Sequence, residues 1–208
     1  PLWAMEELGI PYELKILPFP PRAHQRTYLE QNPLGTVPLL IDGETRMTES
    51  VAICQYVCER FGPTPLQIQP LEADFGAYLN YLHFGEATFT FPQSLLVRYQ
   101  YFESPERRIP SVADDYTKWF LARLRSLEQH LDQHDYLCAD RFTIADISVG
   151  YALMLATHLG LETKMTPAVA AYWARLKIRP GFLKAFESQQ QAAIEQNVAL
   201  IQSPDVRP

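Results

Sequence analysis

The sequence of 208 residues is short of basic charge, of cysteine and of long apolar runs. Lysine and arginine number 18 against 24 acidic residues, giving a net charge of −6. A nucleic-acid binder needs a basic face, so this balance argues against one. No apolar stretch reaches 18 residues, which excludes a membrane-crossing helix. The three cysteines are odd in number and scattered, so they form no disulfide framework and fit a reducing, cytoplasmic compartment. Proline becomes scarce after residue 70, with ten of 17 before that point and seven beyond it. Proline breaks helix interiors, so the later part can hold long helices and the front cannot.

What is present is ordinary for a folded chain, with 47% hydrophobic and 20% charged residues. The run Gly62-Pro63-Thr64-Pro65, closing at Pro70, reads as a linker. The expected division is residues 1–64, a linker at 65–70, a helical part at 71–198 and a loose tail at 199–208.

In the front part, residues 2–8 read as a helix stopped by Gly9. Residues 12–17 alternate apolar and polar, the period of a strand. A short helix over 24–31, a turn at Asn32-Pro33-Leu34-Gly35 and an apolar strand over 37–41 follow. Asp42-Gly43 signals a hairpin, with 45–47 as its returning strand and a helix over 49–61 after it. Beyond the linker, helices are expected at 71–98, 106–133, 143–158, 167–177 and 181–193. The sequence opens on Pro1, a residue suited to a first helical turn, and three strands alone lack a sheet partner. We therefore expect a further strand upstream of Pro1 in the natural protein.

Two motifs carry chemistry. Pro38 heads a strand but has no amide hydrogen for a ladder. A cis bond before it would turn the Val37 backbone outward, where an extended peptide can pair with it. The plainer reading is a trans proline at a strand end. Thr48-Glu49-Ser50 stands where a hairpin strand enters a helix. Free amides and the positive dipole end at a helix start attract a carboxylate. Ser50 adds a hydroxyl, and Glu49 suits an ammonium. The plainer reading is capping by Thr48 or Ser50.

Taken in order, Asn32-Pro-Leu-Gly-Thr-Val-Pro-Leu-Leu40 and Thr48-Glu-Ser-Val-Ala-Ile53 resemble the amino-terminal domain of cytosolic glutathione S-transferases, of bacterial type. The stretch Leu2-Trp-Ala-Met-Glu-Glu-Leu-Gly-Ile-Pro-Tyr-Glu13 is similar to that family's first helix and second strand. Phe142-Thr-Ile-Ala-Asp-Ile147 resembles the capping element of its helical domain. That last motif is readable without the family: Thr143 caps a helix start and Asp146 bonds back to it.

The resemblance implies a thioredoxin-like α/β domain, its first strand missing from this sequence, followed by an all-α domain. It implies glutathione as co-substrate, a homodimer, and transfer of the glutathione thiolate to a small apolar electrophile in detoxification, with no metal. Val37 and Pro38 would pair the cysteinyl unit, and Glu49 and Ser50 would hold the γ-glutamyl end. His24 would meet the glycyl carboxylate, with Gln25 and Arg22 as rivals. The electrophile pocket would draw on Tyr81, His83, Phe84 and Glu86. The thiol-activating Tyr, Ser or Cys is expected upstream of Pro1. A Cys there would make the protein a thiol-disulfide oxidoreductase, and loss of glutathione binding would leave a non-catalytic dimerisation module. Cys54 and Cys58 read as buried helix packing, and His130 and His134 as a solvated face.

Overall fold

The computed structural model of the chain describes residues 1–199, which divide into two compact units. Among the described residues, the first holds Pro1–Thr64 and 179–199, and the second holds Pro65–Ile178. The tail expected at 199–208 lies outside the described residues beyond Ala199. Among the described residues no helix is long and apolar enough to cross a membrane.

The first unit opens with α1, Leu2–Leu8, which buries Trp3, Ala4 and Met5. Gly9 ends it at φ 65, the left-handed conformation that a glycine adopts without strain. Residues 12–17 are extended and alternate in exposure as expected, yet they pair with no strand. A side chain serves instead: the Ile16 amide donates to Gln196 Oε1 at 2.9 Å, and Gln196 Nε2 donates to the Leu14 carbonyl at 2.8 Å. The helix expected over 24–31 is two short pieces, α2 at Pro21–His24 and a 3-10 turn at Arg26–Glu30.

The sheet is one antiparallel hairpin, β1 at Leu40–Asp42 and β2 at Thr45–Met47, with Asp42 opposite Thr45. The two-residue turn Gly43-Glu44 places Gly43 at φ 58, a conformation that a glycine adopts without strain. The strand expected over 37–41 is thus shorter. Pro38 precedes it, and its exposed residues are not those of a buried strand. Helix α3, Ser50–Arg60, buries Val51, Ile53, Cys54, Val57 and Cys58 on one face.

In the second unit, the long helix expected over 71–98 is interrupted. It comprises α4 at Phe75–His83, a π-helical stretch at Phe84–Thr90, α5 at Phe91–Val97 and a second π stretch at Arg98–Phe102. Pro92 removes an amide that a regular helix would use, so the register widens just before it. Gly85 lies within the first wide turn. A Cβ there would fall 2.4 Å from the Ser148 carbonyl carbon, so only glycine permits this approach. The helix expected over 106–133 becomes α6 at Pro110–Leu124, a 3-10 turn at Arg125–Leu127 and α7 at Glu128–Leu131. Helices α8, Ile144–His158, and α9, Pro167–Leu176, complete the unit.

The last helix, α10 at Pro180–Glu195, belongs to the first unit, although it follows the second in the chain. It lies on α1. Trp3 and Phe182 meet edge to face at 5.0 Å, and Arg179 makes a two-pronged contact with Glu7 at 2.9 and 2.8 Å. Gly181 allows the approach, since a Cβ there would sit 2.6 Å from Glu7 Cδ. Compactness therefore divides the chain differently from its order in sequence, which had placed 71–198 together.

Candidate functional site

The loop before Pro38 is built by buried polar side chains. Asn32 is buried, and its Nδ2 donates to the Thr36 carbonyl at 2.8 Å. Its Oδ1 accepts the Leu34 amide at 3.1 Å, an Asx turn that closes the Pro33–Leu34 corner. The Tyr28 hydroxyl donates to the same Thr36 carbonyl at 2.7 Å. Gly35 completes the turn at φ 60, and a Cβ on it would lie 2.7 Å from Arg22 Cβ. The short helix α2 thus rests on this loop through Arg22.

Out of that clamp comes Val37, 45% exposed, joined to Pro38 by a cis peptide bond. Among the described residues neither its amide nor its carbonyl has a hydrogen-bond partner. A ligand with an extended backbone can pair with this exposed edge.

Helix α3 begins in the same unit. Glu49 stands at its N-cap in extended conformation and is exposed, while Ser50 is half-buried at the first helical position. The residue at the N-cap is Glu49, whose side chain makes no cap bond. The Glu49 carbonyl accepts the Ile53 amide at 2.9 Å, and the amides of the first turn face outward for an anion. Glu49 has no ion pair among the described residues, nor has Arg22 or His24. His24 is exposed at the end of α2.

The second unit holds the four residues expected to meet an electrophile. Tyr81 and Phe84 are half-buried and join an aromatic cluster. Their rings meet at 6.2 Å, Phe84 meets Phe89 at 4.9 Å, and Tyr81 meets His130 at 6.0 Å. Burial, with the neighbouring Cys138, pushes the Tyr81 phenol up. His83 and Glu86 are exposed. Glu86 lines an open cavity of about 340 Å³ with Ala87, Thr90, Phe91 and Ser94, so one of the four takes part in a concave surface.

All three cysteines are buried and free, and burial pushes Cys58 and Cys138 up to about 12. Among the described residues no group of three or more His, Cys, Asp or Glu side chains is placed to hold a metal ion. Asn32, Tyr28 and the Arg22–Gly35 contact are the residues that sequence reading passed over. Their signal was the Asn-Pro-Leu-Gly turn, which marks a corner but not which side chains lock it.

Residues 1–65 match the family model described as glutathione S-transferase, N-terminal domain, and residues 110–180 match glutathione S-transferase, C-terminal domain. The chain is 30% identical over 187 residues to Glutathione S-transferase 1 of Zea mays, covering 87% of this chain and 86% of that one. It is 29% identical to the probable glutathione S-transferase GSTF2 of Oryza sativa subsp. japonica, over 86% of both chains. Among solved structures it resembles Ure2p5 of Phanerochaete chrysosporium, cocrystallised with 1-(S-glutathionyl)-2,4-dinitrobenzene. That match has a TM-score of 0.79 and 26% identity, and covers 94% of this chain and 90% of that one.

Proposed function

Because this chain belongs to the cytosolic glutathione S-transferase family, we propose that it binds glutathione along Val37–Pro38 and Glu49–Ser50 and joins its sulfur to small apolar electrophiles. Its first domain is thioredoxin-like and its second all-helical, and its function is that of a glutathione transferase. The observation that carries the site assignment is the unpaired Val37 backbone, delivered by the Asn32 and Tyr28 clamp.

Each end of the tripeptide has a partner of matching chemistry. Val37 N–H and C=O pair the cysteinyl backbone as an added strand would. The γ-glutamyl carboxylate takes the Ser50 hydroxyl and the first amides of α3, and its ammonium faces Glu49. The glycyl carboxylate meets His24 or Arg22, and the packing of Arg22 on Gly35 favours Arg22. Fixing both ends holds the sulfur in place, which replaces a bimolecular encounter with a positioned one. A free thiol near pKa ~8.5 is mostly protonated at neutral pH, so the thiolate must be favoured for attack. We extend the reading to a homodimer in the cytoplasm with a role in detoxification. Phe91, 53% exposed on the aromatic-rich helix pair, supports an apolar partner surface.

The test is conjugation of glutathione to 1-chloro-2,4-dinitrobenzene by the full-length protein. The carbon–sulfur bond forms, the carbon–chlorine bond breaks, chloride leaves and the thiol proton passes to solvent. A rate above the uncatalysed reaction supports the proposal. Absence of both glutathione binding and conjugation supports the non-catalytic module, and reduction of a mixed disulfide without conjugation supports the oxidoreductase. Sedimentation at micromolar concentration should give about twice the 23.9 kDa chain mass.

A further inference from the structure

The first wide turn of the second unit shapes a cavity whose chemistry is one-sided. In the π-helical stretch Phe84–Thr90 the hydrogen bonds span five residues, and the Phe91 amide donates to the Glu86 carbonyl. Residues five apart therefore stand over one another, which sets Phe91 above Glu86. Ala87 contributes only a methyl group, and these three residues line the open cavity of about 340 Å³ together with Thr90 and Ser94.

Every polar side chain on that lining is restricted to accepting. A hydroxyl has one hydrogen to give. Thr90 gives its own to the Gly85 carbonyl at 2.8 Å, and Ser94 gives its own to the Phe91 carbonyl at 2.7 Å. Both oxygens keep lone pairs for a ligand. Glu86 is exposed, and a carboxylate has no hydrogen to donate. Phe91, about half exposed, adds an apolar ring. No lysine or arginine occurs from residue 75 to residue 97, and the next base, Arg98, is paired with Glu103 at 2.8 Å. A neutral acceptor such as a carbonyl finds no side-chain donor on this lining, and an anion meets the Glu86 charge.

We propose that this cavity binds an amphiphilic organic cation, a protonated primary or secondary amine on a small aryl body. The ammonium hydrogens go to Glu86, Thr90 and Ser94, and the aryl body lies against Phe91 and Ala87. An ammonium carries donors alone, so it complements a lining of acceptors. Glu86 is one of the residues expected to meet the electrophile. The ligand's role as a substrate therefore rests on that reading, while its binding does not.

Three probes share one body and differ in charge: naphthylmethylamine, naphthylmethanol and naphthoate. Calorimetric titration of the full-length protein without glutathione should show the amine binding about tenfold or more tighter than the alcohol, and the carboxylate weakest. Glu86→Gln should erase the preference and bring amine and alcohol to about equal affinity. Glu86 is exposed, so the melting temperature should hold in this variant. Asp114→Asn, a change at an exposed acid on α6 outside the lining, should leave the amine affinity as it is, which separates the local carboxylate from net charge. Equal affinity for the three probes, or a preference that survives Glu86→Gln, overturns the proposal. Conjugation of 1-chloro-2,4-dinitrobenzene with equal probe affinities would sink the cation site and leave the transferase standing. A preference for the amine without conjugation would do the reverse.

Discussion

Two polar clusters, one in each unit, use their hydrogen-bonding groups in opposite ways. In the second unit Asp146 is fully buried, and its carboxylate accepts four bonds. The donors are the Leu137 and Thr143 amides at 3.0 and 2.8 Å, the Thr143 hydroxyl at 3.1 Å and the Tyr172 hydroxyl at 2.8 Å. Burial pushes the Asp146 carboxyl up, and the four bonds pull against it. Burial and the Asp146 charge push the Tyr172 phenol well above its ordinary value. In the first unit, among the described residues, the Val37 backbone has no hydrogen-bond partner and the Glu49 side chain at the N-cap of α3 makes no cap bond. The difference begins at a single helix position. In α8 the third residue is Asp146, which bonds back to close a capping box. In α3 the third residue is Ala52, which has nothing to return. A cluster satisfied from within serves the fold, and one left open to water serves a ligand.

Removing the centre of the closed cluster should have the largest effect. Asp146→Ala orphans buried donors on Leu137, Thr143 and Tyr172, and should cost about 3–5 kcal/mol of stability. Chemical denaturation measures the loss. Glutathione affinity of the molecules that stay folded should hold. The matching change in the open cluster should do the reverse. Ser50→Ala should weaken glutathione binding about 10- to 150-fold, the equivalent of about 1.5–3 kcal/mol for a hydrogen bond to a charged group. Stability should move by less than about 0.5 kcal/mol, because Ser50 stands at the first helical position and not at the N-cap. Calorimetry and thermal melting separate the two quantities. A lowered melting point with unchanged affinity would reverse the comparison, and the γ-glutamyl assignment would fall.

The sequence disclosed these clusters unequally for physical reasons. The Thr143–Asp146 box is local, four residues with one geometry, and it formed as read. The Asp-Gly hairpin and α3 are local too; α3 stands within a residue of expectation, while the first hairpin strand is shorter than expected and begins only at Leu40. Residues 12–17 carry a genuine period of two, but a strand needs a neighbour, and theirs is the Gln196 side chain about 180 residues away. No local pattern encodes that contact. The helix expected over 71–98 ignored Pro92, and the π-helical break after α4 depends besides on Gly85 pressing on Ser148 from another helix. The proposed glutathione contacts Val37, Pro38, Glu49 and Ser50 come from motif order alone. Asn32 was not legible there, because its role depends on where the turn returns the Thr36 carbonyl.

Asn32 offers a sharper form of the comparison, since it is a satisfied buried group that serves an open site. Asn32→Ala should cost about 1–2 kcal/mol by orphaning the Leu34 amide and one bond to Thr36. It should also lower glutathione affinity, because Val37 is no longer held extended. Asp146→Ala should show the first effect without the second. If Asn32→Ala destabilised without touching affinity, the clamp would be scaffold alone and the contrast between the two clusters would be complete.

The smallest effect tests the other closed cluster, between α1 and α10. The Glu6 carboxylate is nearly buried, with Lys184 at 2.7 Å and the Ser188 and Tyr12 hydroxyls donating to it. Burial pushes the Glu6 carboxyl up, but the bonds from Lys184, Tyr12 and Ser188 and the Lys184 charge outweigh it and hold its pKa below the ordinary value of 4.5. A carboxyl lowered by folding is less protonated in the folded chain than in the unfolded one. Its stabilisation is therefore fully present above pH 4.5 and is lost as pH falls through the lowered folded value. Glu6→Gln removes that titration while keeping the shape. At neutral pH the variant should be less stable by about 1 kcal/mol, a fall of about 2–4 °C in melting temperature for a chain of this size. On acidification the two melting curves should converge below pH 4.5. Parallel curves down to pH 3 would mean that Glu6 titrates alike in both states. The cluster would then hold α10 by packing of Trp3 on Phe182 and not by charge.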